Sequence, residues 1–285
     1  MAIHEQNYVS YDGPLREGHG WWVFARTTIG LAKSLKRTWI LTILLWIPVL
    51  ITLGLVFFEY GMRDQLPGEL MGSASAPGAT GVIYFLQVQF YSAALLMMAS
   101  GCGTISEDLR YRTFQLYFSR PVERWEYVFG KFLGLFLICS VVTVIPALLI
   151  GGLRAAYFAR TDLAGAVIGQ TATALALSVS MTVVISSVVL GLSSLTRKTG
   201  YAVLGWIGVV IVPLIITFIV SIASSGAETA QLWNLPGNFL LVSEHLIAEE
   251  APEVAVFWPL LILSTVTGAA LYTLRHRINK LEGIA

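Results

Sequence analysis

Residues 106–131 read SEDLRYRTFQLYFSRPVERWEYVFGK. Four arginines and four carboxylates crowd into this stretch of a 285-residue chain that is only 12% charged overall. Long apolar runs lie on both sides of it. Which side of a membrane this segment occupies therefore decides how the rest of the chain is threaded.

The composition calls for a bilayer. Soluble domains average about 45–50% apolar and about 25% charged residues, whereas this chain is 56% hydrophobic. A spanning helix needs about 20 mostly apolar residues, because the hydrocarbon core is about 30 Å thick and a helix rises about 1.5 Å per residue. Six runs qualify. Residues 38–58, 81–103, 166–195, 199–227 and 254–274 contain no Asp, Glu, Lys, Arg or His, and 127–153 contains only Lys131. Lys131 lies near the start of its run, where the amine is expected to snorkel to the interface. The runs are too long and too irregular in alternation for barrel strands. The expected fold is an all-α integral membrane protein of six transmembrane helices.

Orientation follows from Lys and Arg in the short flanks. Fifteen of the eighteen fall on the side of the amino terminus, and only Arg63, Arg154 and Arg160 fall on the other. Both termini are thus expected in the cytoplasm, and the protein in the cell's inner membrane. No cleavable signal is expected, since residues 1–37 lack an apolar core followed by a small-residue cleavage site. Cys102 and Cys139 form no disulfide framework. Topology accounts for the basic residues, so no nucleic-acid partner is expected.

Three domains are expected: a tail with an amphipathic helix over 1–37, the six-span region over 38–274, and a cytoplasmic tail over 275–285. Within the first, Trp21, Phe24, Thr28, Leu31, Leu35 and Trp39 share one helical face, while Arg26, Lys33, Lys36 and Arg37 lie on the other. Such a helix lies along the cytoplasmic surface with Trp21 and Trp22 at head-group level; a helical basic flank with no such role is the alternative. Residues 59–80 read as an irregular connector. Residues 225–253 mix acids with many large apolar side chains around Pro236-Gly237, a pattern that suits short amphipathic helices on the outer interface. Pro48, Pro146 and Pro213 are expected to kink their spans. Gly130-xxx-Gly134 and Gly165-xxx-Gly169 are candidate close crossings.

Catalytic patterns are missing. No G-x-x-x-x-G-K-[ST] phosphate loop occurs, no G-x-S-x-G elbow surrounds Ser193 and Ser194, and no cysteine or histidine pair has metal spacing. The chain is expected to bind no cofactor and no metal, and to catalyse nothing alone. Gln87, Gln89, Gln170 and the hydroxyls of 171–187 read as hydrogen bonds between spanning helices.

In the charged segment, Thr104 and Glu107 have capping-box spacing, and Ser119-Arg120-Pro121 marks a stop and restart. The expectation is a short helix, a turn and a second helix leading into the third span. Aromatics and arginines at the membrane's inner edge suit either a docked soluble partner or a loop resting on head groups.

The segment resembles the signature of ABC-2 type transporter permeases. That signature has a Glu near the end of the second span, a Gly-Thr pair, an aromatic or leucine-rich helix, S/T-R-P, a further basic residue and G-K at the start of the third span. The matches are Glu107, Thr113, Leu116, Ser119-Arg120-Pro121, Arg124 and Gly130-Lys131, with Arg112 in the place of the usual glycine. The plan of an amphipathic amino-terminal helix, six spans and a long excursion between spans 5 and 6 is also similar. The resemblance implies a coupling helix between spans 2 and 3 and a permease working with a second copy and two cytoplasmic ABC ATPase subunits, which would hold ATP and Mg. It points to Glu107, Arg110, Arg112, Thr113, Phe114, Arg120, Pro121 and Arg124 as the ATPase-coupling contact, with Gly130 and Lys131 shaping a hinge. It implies a transporter, in the first place an exporter. Two alternatives remain open: force transmission to an extracytoplasmic partner on 225–253, and ATP-independent secondary transport.

Overall fold

A backbone in lipid must satisfy its own hydrogen bonds, and the apolar runs do so as helices. The computed structural model describes residues 20–62, 79–113, 117, 123–159, 163–223, 228–248 and 254–282. Among these there is no strand. In chain order the helices are α1 (Gly20–Ser34), α2 (Lys36–Leu45), α3 (Ile47–Met62), α4 (Ala79–Ser100), α5 (Ser106–Tyr111), α6 (Arg124–Ser140), α7 (Val144–Phe158), α8 (Ala164–Leu195), α9 (Thr199–Ala223), α10 (Leu235–Ser243) and α11 (Phe257–Glu282). Five stretches are each long and apolar enough to cross a membrane: 36–58, 80–100, 164–195, 199–223 and 257–280. The pair α6 and α7, bent by 43°, gives a sixth when the two are taken as one broken span, numbered here span 3. This is a multi-pass membrane protein.

Of the three prolines expected to kink their spans, two lie at breaks. Proline lacks an N–H and its ring crowds the carbonyl four residues earlier. Pro48 follows the interruption at Trp46 between α2 and α3, and Pro146 follows the bend at 141–143. Pro213 lies inside an uninterrupted α9.

Burial separates centre from periphery. The apolar window of α8 is 67% buried, against 11% for span 1 and for α9. Small and hydroxyl residues run along α8, so its neighbours approach closely. Hydroxyls and amides then fasten the bundle at depth. Gln89 of α4 donates to the Thr143 carbonyl at 2.8 Å and accepts from Ser178 of α8 at 3.3 Å. Thr143 and Thr182 share a hydrogen bond of 2.7 Å. The bend in span 3 thus sits where side chains from two other spans meet Thr143, one at its carbonyl and one at its hydroxyl. Trp206 of α9 donates to the Ala94 carbonyl at 2.9 Å.

Two expectations are corrected. Arg154, read as an exposed flank, is 2% exposed and donates to Gln170 at 3.3 Å. The segment between spans 5 and 6 does not lie as amphipathic helices on a surface. A 3-10 turn, Glu228–Trp233, leads into α10, and eight of its nine residues are buried. Phe239 packs 6.0 Å from Phe90, ring to ring, and Val242 and Ile247 join Val82, Ile83 and Leu86 of α4. Asn234 caps α10 by accepting from the Gly237 N–H and donates to Thr217 of α9 at 2.7 Å. The apolar content of this segment is spent inside the bundle. The Gly165/Gly169 pair makes no close crossing, since an added Cβ at either would meet nothing within 4 Å.

Replacing Gln89 with Leu removes the interhelical donor to the Thr143 carbonyl, which keeps only the Ala147 N–H, and takes the acceptor from Ser178; it is expected to cost about 1 kcal/mol, the scale of interhelical hydrogen bonds in membranes. Gln87→Leu, at a half-buried position with no such bond, is the control. Thermal unfolding in detergent should show a lower midpoint for the first variant alone.

Candidate functional site

The charged segment leaves α4 through a tight turn and enters α5. Leu109 and Ser106 of α5 are buried, whereas Glu107, Arg110, Tyr111 and Arg112 are exposed. Arg110 stacks over Tyr111 at 5.5 Å. We call this end of the bundle, where α5 and the start of α6 lie, the basal end.

The expected capping box at Thr104 and Glu107 does not form. Thr104 instead bonds back to the Ser100 carbonyl, and the α5 start has no cap from its own chain neighbours. Ser193 of α8 supplies one from across the bundle. Its hydroxyl accepts from the backbone N–H groups of Ile105 and Ser106, both at 3.0 Å, and donates to the Cys102 carbonyl at 2.8 Å. A helix start needs its free N–H groups satisfied, and here a spanning helix does it. Ser106 also shares a 3.2 Å hydrogen bond with Thr199 at the start of α9. The capping box that does form is at Glu123 and Glu126, opening α6.

Lys131 does not snorkel. It is 2% exposed and forms a 2.9 Å ion pair with Asp108 of α5, while donating to the Thr104 carbonyl at 3.2 Å. Tyr127 donates to the same Asp108 oxygen at 2.7 Å. A buried ammonium is tolerated only when charge and hydrogen bonds replace water, and these groups do so. Asp108 escaped the sequence reading, because nothing in spacing distinguishes it from neighbouring Glu107. Tyr117 packs beside this group; burial, and then the Asp108 carboxylate, push its phenol above the ordinary tyrosine range.

Gly130 and Gly134 leave no room for a side chain. An added Cβ at Gly130 would stand 2.3 Å from the Trp21 carbonyl oxygen, and one at Gly134 would stand 2.7 Å from the Thr28 Cβ. The pair is the seat of α1 on span 3. The face of α1 that docks is Phe24, Ala25, Thr28 and Ala32, rather than the stripe expected through Leu31 and Trp39. The Trp21 carbonyl and the Phe24 Cβ face Gly130, Ala25 and Thr28 face Gly134, and Trp22, Val23 and Leu31 point outward with Arg26, Lys33, Lys36 and Arg37. Trp21 is half-buried against Phe129, ring centres 5.7 Å apart. Phe24 meets both Tyr117 and Tyr127 at 5.2 Å. Glu126 accepts from the Gly20 N–H at 3.1 Å, a carboxylate at the positive end of α1.

Arg112 is the one non-glycine residue of positive φ among those described, at 54°. It ends α5 in the left-handed region, where glycine pays no Cβ penalty. Thr113 follows it, half-buried. Arg124 turns sideways to Asn279 of α11, at 3.3 Å. Phe114, Arg120 and Pro121 lie outside the described residues.

A family model described as ABC-2 family transporter protein matches residues 73–270. The chain belongs to the ABC-2 transporter family. No curated protein matches it. As an ABC-2 permease it is a membrane component of a transporter, and its matched region runs from before α4 into α11, taking in α5 and α6 but not α1.

Three outcomes follow for this permease. Lys131→Met leaves a carboxylate buried without its counter-ion and is expected to cost about 3 kcal/mol, with part of that recovered in Asp108→Asn/Lys131→Met; unfolding midpoints of the single and double variants measure it. Arg112→Gly relieves the left-handed backbone and should stabilise by up to about 1 kcal/mol. Gly130→Val should unseat α1, read as faster amide exchange over residues 20–34.

Proposed function

We propose that this ABC-2 permease is driven by a cytoplasmic ABC ATPase that grips the exposed face of α5, and that it works as an exporter. One arrangement carries the reading. The face of Glu107, Arg110, Tyr111 and Arg112 is exposed, while the opposite face is bonded to α6 through Asp108–Lys131 and to α8 through Ser193. A push on the exposed face would reach spans 3 and 4 without slack. Interface energy concentrates in arginine and aromatic side chains, and this face offers both. In this reading α5 is the coupling helix, α1 lies along the cytoplasmic surface, both termini are cytoplasmic, and the membrane is the cell's inner membrane. A second permease copy and a second ATPase complete the assembly, with ATP and Mg in the ATPases.

Force transmission to an outer partner drew its support from the apolar content of 225–253. Residues 228–248 bury most of that content against α4 and α8, which leaves less to recruit a partner. Transport is therefore the reading retained.

Arg110→Glu reverses charge on the exposed face without touching the buried pair. It is expected to lower copurification of the ATPase by roughly tenfold, as interfacial charge contacts of about 1.5 kcal/mol or more do, with the permease still folded in the membrane. Undiminished copurification, with ATP turnover still coupled to transport, would count against α5 as the contact.

A further inference from the structure

At the basal end, α6, α8 and α11 do not close on one another. They leave a crevice of about 760 Å³, inside the range of about 300–1,000 Å³ that ligand pockets occupy. We infer that this crevice binds an anionic phospholipid of the adjoining leaflet, its phosphate on Arg124 and Arg275 and one acyl chain along the wall behind them. The inference needs only the multi-pass placement of the chain and stands apart from the ATP-driven reading.

The two ends of the crevice differ in chemistry. At the rim stand the two arginines and Asn279, with Trp125 beside them. Arg124 is oriented toward α11 by its bond to Asn279 at 3.3 Å, which brings cationic groups of α6 and α11 to one mouth. Among the described residues no Asp or Glu lines the crevice. Basic pockets between spanning helices are a recurring way of holding anionic head groups, because the guanidinium pairs with phosphate through paired N–H donors.

The wall is apolar. Val128, Phe129 and Phe132 come from α6, Val183 from α8, and Leu271 and Ile278 from α11. One polar group lies among them: the Ser187 hydroxyl, fully buried and without a hydrogen-bond partner among the described residues. Water needs two to four polar partners to stay in a cavity, and a single hydroxyl does not supply them. An acyl chain fills such a space, and Ser187 stands about 12 Å below the last residue of α8 by helix rise, within reach of an ester or mid-chain group.

A second copy of the chain is a poorer occupant. A two-fold contact places the same patch on both sides, so Arg124 and Arg275 would meet their own equivalents.

The probe is phosphatidylglycerol brominated in one acyl chain, compared with phosphatidylcholine brominated in the same way, in vesicles holding the purified full-length permease. Bromine quenches nearby indoles, and Trp125 stands at the rim. Wild type is expected to be quenched more by the anionic lipid, and Trp125→Phe to lose that excess. Arg124→Gln/Arg275→Gln should lower the anionic preference several-fold, in line with partly exposed charge contacts. Val183→Phe, which adds bulk to the wall, should lower quenching by both lipids. Equal quenching of wild type by both lipids overturns the inference, and so does a preference that survives the double arginine change. Disulfide formation between copies through Phe129→Cys would place a second chain in the crevice and overturn it as well.

Discussion

The ammonium of Lys131 is held away from water by one carboxylate and one carbonyl, and the basal end of this permease is arranged around that constraint. Moving such a charge out of water costs several kcal/mol, recovered only when geometry and hydrogen bonding are good. Asp108 must therefore stay on the inner face of α5, and α5 must stay against α6. Tyr127 completes the carboxylate's bonding. The left-handed Arg112 ends α5 after six residues, and Thr113 beyond it bonds back to the Asp108 carbonyl.

Other contacts work toward the same rigidity. Ser193 satisfies the open N–H groups of α5 from the middle of the bundle, and α1 lies across Gly130 and Gly134 so closely that its own backbone takes the place of a side chain. Rings from α1, the segment after α5 and α6 meet at Phe24, Tyr117 and Tyr127. In membranes helix association gains little from hydrophobic transfer, so close packing of small residues and interhelical hydrogen bonds supply the specificity. Deeper in the bundle, Gln89, Thr143, Ser178 and Thr182 follow the same rule around the bend of span 3.

These features give a transporter family member with a stiff basal end and a bent third span. At the bend, Gln89 of α4 bonds the Thr143 carbonyl and Thr182 of α8 bonds its hydroxyl, which ties the kinked span to its neighbours at depth. The peripheral spans, 1 and 5, keep most of their surface apolar and outward. The segment after span 5 returns into the bundle and closes over α4 with Phe239 and Val242.

Much of the architecture was legible in the chain itself. Six runs of apolar residues stand out because hydrocarbon thickness demands that length, and Pro48 and Pro146 lie by breaks because proline lacks a donor, although Pro213 leaves α9 uninterrupted. The family signature from Glu107 to Lys131 was legible for the same local reason. The roles of individual residues were not. Lys131 read as a snorkelling amine, Ser193 as a rejected nucleophile and Asp108 as one carboxylate among four, while Gly130 read as half of a close crossing whose partner helix the sequence left open. Each owes its role to a partner 23 to 109 residues away: Lys131 to Asp108, Gly130 to Trp21, and Ser193 to Ile105. Solvent thickness acts on each segment separately and leaves its mark in composition, whereas the cost of burying a charge or an open N–H depends on which other segment arrives beside it, and that is decided only when the helices pack.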